Sequence, residues 1–320
     1  MKNEILISII IPVYNVEKYI KDCMESIMQC NSDTCEIIVV NDGSTDSSLE
    51  ICNSYLNKTK KITIITQTNQ GLSEARNAGI RSSKGKYLLF LDSDDKLHEK
   101  GLEQIIRDCT VANEDFLFGR AYKFYNGSTE YKLCQINYDG IKEERPYKIF
   151  EYLNSKNEFW FAAWLVIIKR DFLINNNLFF KKGIYHEDEL WVPSVFVKAD
   201  SVKLLNYGFY LYRMNREGSI VYSENIKREF DKITIVEELE KLNDTDKKKK
   251  PIILKRQAAL IYGILIKASS FKDNDKYNEL LELLERNINK LKNGKYFVIY
   301  LSCKMAGVKS VSRVIGKIIK

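Results

Sequence analysis

The residues best suited to chemistry in this chain are carboxylates that directly follow an apolar segment. Residues 87–91 form an uninterrupted apolar run, and residues 92–95 read Asp-Ser-Asp-Asp. If extended geometry continues past the run, Asp92 and Asp94 point to the same side, because side chains alternate along a strand. Such a pair suits Mg²⁺ or Mn²⁺, which one or two carboxylates commonly hold together with substrate phosphate oxygens. An isolated Asp-x-Asp is a weak signal, and a solvated acidic turn is the alternative.

The first hundred residues repeat one unit, in which a buried strand is followed by a polar turn and an amphipathic helix. The pattern predicts strands at residues 5–13, 36–40, 62–66 and 87–91. Alternating strands and helices imply an α/β fold with a parallel sheet and right-handed crossovers. The four loops should therefore meet at the carboxyl edge of the sheet, where open α/β sheets bind ligands.

These four loops carry polar residues in a distinctive order. They read Pro-Val-Tyr-Asn at 12–15, Asn-Asp-Gly-Ser-Thr-Asp at 41–46, Asn-Gln-Gly-Leu-Ser-Glu-Ala-Arg-Asn-Ala-Gly at 69–79 and Asp-Ser-Asp-Asp at 92–95. In this order and spacing they resemble the inverting family 2 glycosyltransferases of the GT-A fold, of the type that builds bacterial surface or capsular polysaccharides. The resemblance is dense over residues 5–100, sparser over 160–220 and absent beyond about 225.

The resemblance implies a GT-A fold with a Rossmann-like, mostly parallel nucleotide-binding sheet and a C-terminal helical extension. We accordingly predict a nucleotide-sugar-binding half at residues 1–105, an acceptor-binding half at 106–222 and a helical region at 223–320. The implied activity is metal-dependent transfer, with inversion, of a hexosyl or N-acetylhexosaminyl group from a UDP-sugar. The implied acceptor is a hydroxyl of a glycan, expected to be linked to a lipid such as polyprenyl diphosphate.

Residues of the first three loops suit a nucleotide on physical grounds. Pro12 and Tyr14, with Asn15 beside them, would place an apolar and aromatic wall against a flat base. Asp42 could accept a hydrogen bond from uracil N3–H, the role that the resemblance also assigns; helix capping is the alternative. Arg76 suits a base edge or diphosphate oxygens, with a surface salt bridge as the alternative.

The resemblance gives the acidic turn a role beside the diphosphate. It places Asp92 near the ribose or a metal-bound water, includes Ser93 in the same donor site, and makes Asp94 the ligand of Mn²⁺ or Mg²⁺. Asp92 and Asp94 are thus both metal candidates. The cation would stabilise the negative charge that grows on the departing nucleoside diphosphate.

Inversion by direct displacement also needs a base that removes the proton of the acceptor hydroxyl. The resemblance offers Asp188, within His-Glu-Asp-Glu at 186–189, where neighbouring acids would raise its carboxyl pKa. An acidic helix start, favoured by the helix dipole, is the alternative. Arg213 and Arg216 lie in a basic segment that resembles a flexible loop covering the diphosphate; a plain connector is the alternative.

Aromatic residues cluster at 159–164, 185–191 and 207–213. Near carboxylates, such rings could form a platform for a sugar, and core packing is the alternative.

The positive charge of the chain lies at its C-terminal end. The formal net charge is +7, yet residues 1–294 carry 44 basic and 43 acidic side chains, because six basic and no acidic residues lie from 295 onward. This distribution argues against a nucleic-acid-binding body, which would be basic across the fold. Apolar residues recur at helical spacing in the same tail, at positions 308, 311, 314, 315, 318 and 319. The pattern predicts contact with an anionic membrane; packing on the domain, or on a second subunit of a homodimer, is the alternative.

The remaining composition favours a cytoplasmic protein that is peripheral on the inner face of the plasma membrane. The apolar runs are shorter than the roughly 20 residues of a bilayer span, and the first residues lack a signal-peptide pattern. Seven cysteines without metal-ligand spacing fit reduced thiols.

Two other functions are compatible with a nucleotide-binding sheet. A sugar-nucleotide nucleotidyltransferase usually has a Gly-rich phosphate loop after its first strand, whereas residues 12–16 contain no glycine. A non-catalytic nucleotide-sugar-binding module would be expected to lack the carboxylates, yet the chain has Asp42, Asp92, Asp94 and Asp188.

Overall fold

The computed structural model describes residues 4–28, 34–59, 61–125, 130–134, 138–139, 141, 145–155, 160–215, 225–242, 248–292 and 294–318. The chain forms two compact units. One comprises residues 1–183 and 198–219, and the other comprises 184–197 and 220–320. Residues 184–197 thus belong with the C-terminal helices, whereas the division expected from the sequence includes them in the middle region.

The first unit contains a nine-stranded sheet. Its strands are Ile7–Val13 (β1), Cys35–Asn41 (β2), Ile62–Thr66 (β3), Tyr87–Phe90 (β4), Lys96–Leu97 (β5), Phe116–Phe124 (β6), Lys132–Leu133 (β7), Val166–Lys169 (β8) and Val202–Arg213 (β9). The order across the sheet is β3-β2-β1-β4-β8-β6-β9-β5, and β7 pairs with β6.

The four predicted strands form one parallel half of this sheet. β1 pairs in parallel with β2 and β4, and β2 pairs in parallel with β3. All residues of β1 and β4 are buried, as expected for strands covered on both faces. The parallel arrangement is therefore confirmed here, while the antiparallel pairing of β8 with β4 and β6 makes the complete sheet mixed.

Helices of the first unit connect these strands. They are Ile20–Met28 (α1), Ser48–Asn53 (α2), Leu72–Ser82 (α3), Glu99–Val111 (α4), Pro146–Asn154 (α5) and Arg170–Asn175 (α6). Gly79 lets α3 lie close to β1, because a Cβ atom at this position would be 2.3 Å from Cγ2 of Ile10. The start of α3, which carries Arg76, is thereby held near the carboxyl edge of the sheet.

The second unit is helical, which confirms the C-terminal helical region. Its helices are Asp188–Lys198 (α7), Ile226–Lys241 (α8), Lys250–Ala268 (α9), Tyr277–Asn287 (α10), Phe297–Ala306 (α11) and Val308–Ile318 (α12). Side chains such as Leu239, Ile261 and Leu284 form a core shared by α8, α9 and α10. Over the described ranges, every helix is too short or too polar to span a bilayer.

Three of the six residues in the apolar stripe predicted on α12 face the interior of this unit. Val308 and Val311 are buried in the core, and Ile315 packs against it. Val314 and Ile318 are exposed, whereas position 319 lies outside the described residues. Packing on the domain, the alternative to membrane contact, therefore accounts for Val308, Val311 and Ile315, but not for the exposed Val314 and Ile318.

Candidate active site

Side-chain hydrogen bonds join the loops that follow β1 and β2. Asn15 Oδ1 accepts from the Thr45 N–H at 2.8 Å, and the Asn15 N–H donates to Ser44 Oγ at 3.3 Å. Asn15 has φ of 49°, a left-handed conformation that asparagine adopts more readily than most residues. Pro12 is buried inside β1, whereas Tyr14 is 47% exposed. Tyr14 and Asn15 are thus both exposed at this end of the sheet, and Tyr14 offers an aromatic ring to a ligand.

Asp42 anchors the loop that leads into α3. Its buried carboxylate accepts hydrogen bonds from Gln67 Nε2 at 2.7 Å and from the backbone N–H groups of Gln70 at 2.9 Å and Gly71 at 2.8 Å. Gly71 directly precedes α3, so Asp42 supports the start of that helix rather than the nearby α2. A carboxylate offers about four acceptor sites, which leaves about one for a ligand.

Gly43 permits the close approach of the β2 and β3 loops. It has φ of +75°, and a Cβ atom would lie 2.9 Å from the Asn69 backbone nitrogen. Both the conformation and the contact require glycine. The first three loops are therefore packed against one another by Asn15, Asp42 and Gly43.

The acidic segment after β4 is a turn rather than a continuation of the strand. β4 ends at Phe90, and the Asp95 N–H donates to the Asp92 carbonyl oxygen at 3.0 Å, as in a β-turn. The extended geometry on which the alignment of Asp92 and Asp94 depended therefore does not continue past β4. Both side chains remain half-buried, and Ser93 between them is buried.

Arg76 links α3 to this turn through a buried ion pair. Its Nη2 lies 2.8 Å from Asp92 Oδ1, and its side chain is 1% exposed, against 26% for Asp92. The Arg76 guanidinium also lies 5.1 Å from the Phe180 ring centroid. The alternative of a surface salt bridge is therefore excluded, and a fixed positive charge stands beside the acidic turn.

Tyr210, which the sequence prediction did not assign to the site, holds the acidic turn from β9. Its Oη donates to Asp95 Oδ2 at 2.8 Å and accepts from the Asp92 N–H at 3.1 Å, while the Arg213 N–H donates to Asp95 Oδ1 at 2.7 Å. Burial, with the nearby charges of Asp94 and Asp92, raises the pKa of Asp95 well above its usual range. Tyr210 and Asp95 are 115 positions apart. The sequence shows Asp95 as the third acid of the turn, but its spacing gives no indication that Tyr210 is the partner.

Arg213 also holds the turn, from the last position of β9. Its Nε donates to the Asp94 carbonyl oxygen at 2.6 Å, and its Nη2 pairs with Asp22 Oδ2 at 3.1 Å. The side chain is 4% exposed, and its guanidinium lies 4.7 Å from the Phe124 ring centroid. The prediction that Arg213 belongs to a flexible loop is therefore wrong. Arg216, the other basic residue of that prediction, lies outside the described residues.

Aromatic rings from the middle region pack around Tyr210. Trp164 is buried and stacks on Tyr210, with ring centroids 4.2 Å apart and an interplanar angle of 13°. Trp160 is half-buried, 5.8 Å from Trp164 in an edge-on arrangement. Core packing thus explains Trp164, which supports the ring of Tyr210.

Asp188 is the first residue of α7, in the second unit, and is partly exposed. The start of α7 is fixed by neighbours on two other helices of that unit. Glu189 pairs with the buried Arg256 of α9, and the Tyr185 N–H donates to Asp231 Oδ2 of α8 at 2.8 Å. The predicted base therefore lies at a helix start, as expected, on a rigidly held segment.

His186 precedes this helix start in a left-handed conformation, with φ of 61°. Burial, together with nearby cations such as Lys232 and Arg228, lowers the pKa of His186 to about 4. Its imidazole is therefore neutral at physiological pH.

The acidic turn has the donor chemistry of a Mg²⁺ or Mn²⁺ site that is completed by a substrate. Where the structure describes the chain, no three His, Cys, Asp or Glu side chains group as metal ligands. Asp92 and Asp94 supply half-buried carboxylates from a single turn. Magnesium commonly takes one or two carboxylates and fills its shell with water and substrate phosphates, so these residues fit such an ion.

Comparison with known proteins identifies the family. The protein-family model described as glycosyl transferase family 2 matches residues 8–173 of this chain. The uncharacterised glycosyltransferase EpsJ of Bacillus subtilis is 33% identical over 66% of this chain, and the glycosyltransferase GlyG of Streptococcus pneumoniae is 32% identical over 68%. The chain covers 61% of EpsJ and 74% of GlyG.

The solved structures show the same fold. S. aureus TarS 1–349 in complex with UDP-GlcNAc has a TM-score of 0.72 at 20% identity, covering 98% of this chain and 90% of that chain. This similarity confirms the predicted GT-A fold with its helical C-terminal region. The chain belongs to glycosyltransferase family 2.

Proposed function

We propose that this protein is an inverting, metal-dependent glycosyltransferase that uses a UDP-sugar. The group transferred would be a hexosyl or N-acetylhexosaminyl group, and the acceptor a hydroxyl of a glycan in surface polysaccharide synthesis. We further propose that the acceptor is linked to a lipid such as polyprenyl diphosphate and that the reaction takes place at the cytoplasmic face of the membrane, because the chain has a basic C-terminal tail. Family membership and the fold shared with TarS, which was solved with UDP-GlcNAc, support the UDP-sugar.

One observation carries the proposal: the loops after four parallel strands form a single polar network. Asp42 holds the entry to α3, and α3 carries Arg76, which pairs with Asp92 at 2.8 Å. Asp94 lies on the same turn as Asp92. A site for the nucleobase, a buried cation and two carboxylates therefore follow one another along the carboxyl edge of the sheet. This order matches the nucleobase and the diphosphate of a nucleoside diphosphate.

In this proposal each group has a separate task toward the donor. Asp42 accepts from uracil N3–H with its remaining acceptor site, while the exposed ring of Tyr14 covers the base. Arg76, fixed by burial, supplies positive charge close to the diphosphate. Asp94 and Asp92 would hold Mn²⁺ or Mg²⁺, and the bound ion would supply Lewis-acid stabilisation to the leaving diphosphate.

Asp188 acts as the base toward the acceptor. Its carboxylate takes the proton of the acceptor hydroxyl as that oxygen bonds to the anomeric carbon. The bond between that carbon and the diphosphate oxygen breaks with its electron pair leaving on UDP, and attack from the opposite face inverts the configuration. The fixed start of α7 suits this role, because proton transfer depends on a well-positioned carboxylate.

A panel of UDP-sugars tests the proposal. The purified protein is incubated with each sugar nucleotide and Mn²⁺, and UDP release is measured with and without chelator. We expect release from at least one donor and loss of release when the metal is removed. Absence of hydrolysis with every donor, together with absence of UDP binding by calorimetry, would refute the proposal. Pyrophosphate release from UTP and a sugar phosphate would instead indicate a nucleotidyltransferase.

The Asp188→Asn variant tests the assignment of Asp188 as the catalytic base. It should bind UDP as the wild type does and lose transfer by a factor of about 100 or more. Asp171→Asn is a matched control, because Asp171 is a 78% exposed acid in the first turn of α6. Wild-type transfer by Asp188→Asn would contradict the assignment, and UDP binding by an otherwise inactive wild type would favour the non-catalytic module.

A further inference from the structure

Helix α11 presents an apolar face to solvent. Its side chains Phe297, Val298, Leu301 and Met305 are 44%, 72%, 42% and 89% exposed. The spacing i, i+1, i+4 and i+8 places them within one face of the helix, away from the buried Cys303. Contiguous exposed apolar side chains of this kind commonly mark sites of interaction with another protein or with a membrane.

The surroundings of this face carry one sign of charge. Lys295 and Lys304 flank it, and Lys309, Arg313 and Lys317 are exposed on the adjoining α12. From residue 295 to the end of the sequence there is no acidic residue. A second copy of the same face would bring like charges together, which opposes association. An anionic occupant is complementary.

We propose that α11 and the basic side of α12 form a docking surface for an anionic lipid membrane. The exposed α11 side chains enter the boundary between headgroups and acyl chains, while the basic side chains meet lipid phosphates. Val308 and Val311 of the α12 stripe are not among the inserted residues, because they are buried in the unit. Membrane binding of this kind needs neither donor nor acceptor, so it stands independently of the proposed sugar transfer.

Vesicle co-sedimentation of the full chain without nucleotide tests the apolar contribution. We expect binding to phosphatidylcholine vesicles that contain phosphatidylglycerol, and little binding to pure phosphatidylcholine. The double variant Val298→Ser, Met305→Ser should lose about tenfold in vesicle affinity, because two exposed apolar side chains become polar. Val111→Ser is the matched control, since Val111 is 76% exposed on α4 of the first unit and should leave affinity unchanged.

The charge contribution has its own variants. Lys309→Gln and Lys317→Gln should each reduce affinity for the anionic vesicles by about fivefold, and added salt should weaken wild-type binding. Absence of wild-type binding to anionic vesicles would overturn the proposal, as would unchanged binding by the double serine variant. Sedimentation equilibrium provides the remaining outcome. A wild-type dimer that the double serine variant converts to a monomer, without vesicle binding, would show that a second copy covers this face.

Discussion

The substitution Tyr210→Phe tests whether the acidic turn is held from β9. It deletes the hydroxyl that donates to Asp95 Oδ2 at 2.8 Å and accepts from the Asp92 N–H at 3.1 Å. The ring that stacks on Trp164 at 4.2 Å is kept, so packing changes little. The variant therefore isolates the two hydrogen bonds.

The expected cost follows from the environment of these bonds. Asp95 and Tyr210 are buried, so water does not readily replace the lost hydroxyl. A hydrogen bond to a carboxylate contributes about 1.5–3 kcal/mol and a neutral one about 1 kcal/mol, which together predict a loss of about 3 kcal/mol in the free energy of unfolding. The turn that carries Asp92 and Asp94 also loosens, so UDP affinity in the presence of Mn²⁺ should fall by about tenfold.

The pH dependence of this loss has a definite sign. Burial raises the pKa of Asp95 in the folded protein. Once the pH exceeds the pKa that Asp95 has in the unfolded chain, ionisation of Asp95 favours the unfolded state and the stability of the folded protein declines. Removing the Tyr210 hydrogen bond raises this pKa further. The destabilisation should therefore grow as the pH rises and Asp95 ionises, and should shrink as acidification protonates Asp95.

Urea unfolding at neutral and mildly acidic pH, with calorimetry of UDP binding, provides the measurement. Tyr207→Phe is the matched control, because Tyr207 lies on β9 as Tyr210 does. Its Oη donates to Asp108 Oδ2 at 2.6 Å, and in the variant Asp108 keeps its ion pair with Lys203. This control should lose about 1–2 kcal/mol and bind UDP normally. A Tyr210→Phe protein as stable as the wild type, or equal UDP affinities for the two variants, would refute the reasoning.

Three further substitutions have distinct expected outcomes. Gly43→Ala should destabilise the protein to urea by about 2 kcal/mol, since φ is +75° and the Asn69 nitrogen lies 2.9 Å from the new Cβ atom. Arg213→Lys should cost about 2 kcal/mol in the same assay, because one ammonium cannot replace the guanidinium that bonds both the Asp94 carbonyl and Asp22. The free energy of unfolding of the wild type should fall by about 1–2 kcal/mol between pH of about 6.5 and 4, and His186→Asn should abolish this fall. The magnitude is reduced because His186 is partly exposed.

The direction of the His186 effect follows from its lowered pKa. As the pH falls below about 6.5, the unfolded chain binds a proton that the folded chain accepts only near pH 4, so wild-type stability declines over this interval. Asparagine tolerates the left-handed conformation and does not titrate. Equal pH dependence of the two proteins in unfolding experiments would contradict the interpretation. Retained wild-type stability in Gly43→Ala or Arg213→Lys would likewise contradict the assigned contacts.

The parallel half of the sheet was predictable because its strands are uninterrupted apolar runs between turn residues. The structure has β3 at the predicted residues, Ile62–Thr66, and the ends of β1 and β4 differ by one or two positions. The other half offered no such signal. β5 and β7 have two residues each, so they are too short for periodicity to mark them.

The same distinction applies to the site. The rule that parallel strands end at one edge predicts that the loops of Asp42, Arg76 and Asp92 lie together. It does not predict which atoms bond. The contacts of Asp42 with Gly71 and of Arg213 with Asp94 depend on loop conformation and on the register of β9, which arise only when the distant parts of the chain pack.

The three bonds of Asp42 have a consequence for redesigning donor choice. A substitution here intended to admit another nucleobase would also release the backbone of Gln70 and Gly71 at the entry of α3. In the proposed donor site, recognition of the nucleobase and alignment of the helix that carries Arg76 therefore depend on the same carboxylate. An engineered change of nucleobase preference would need a compensating acceptor for that helix before the new specificity could be expressed.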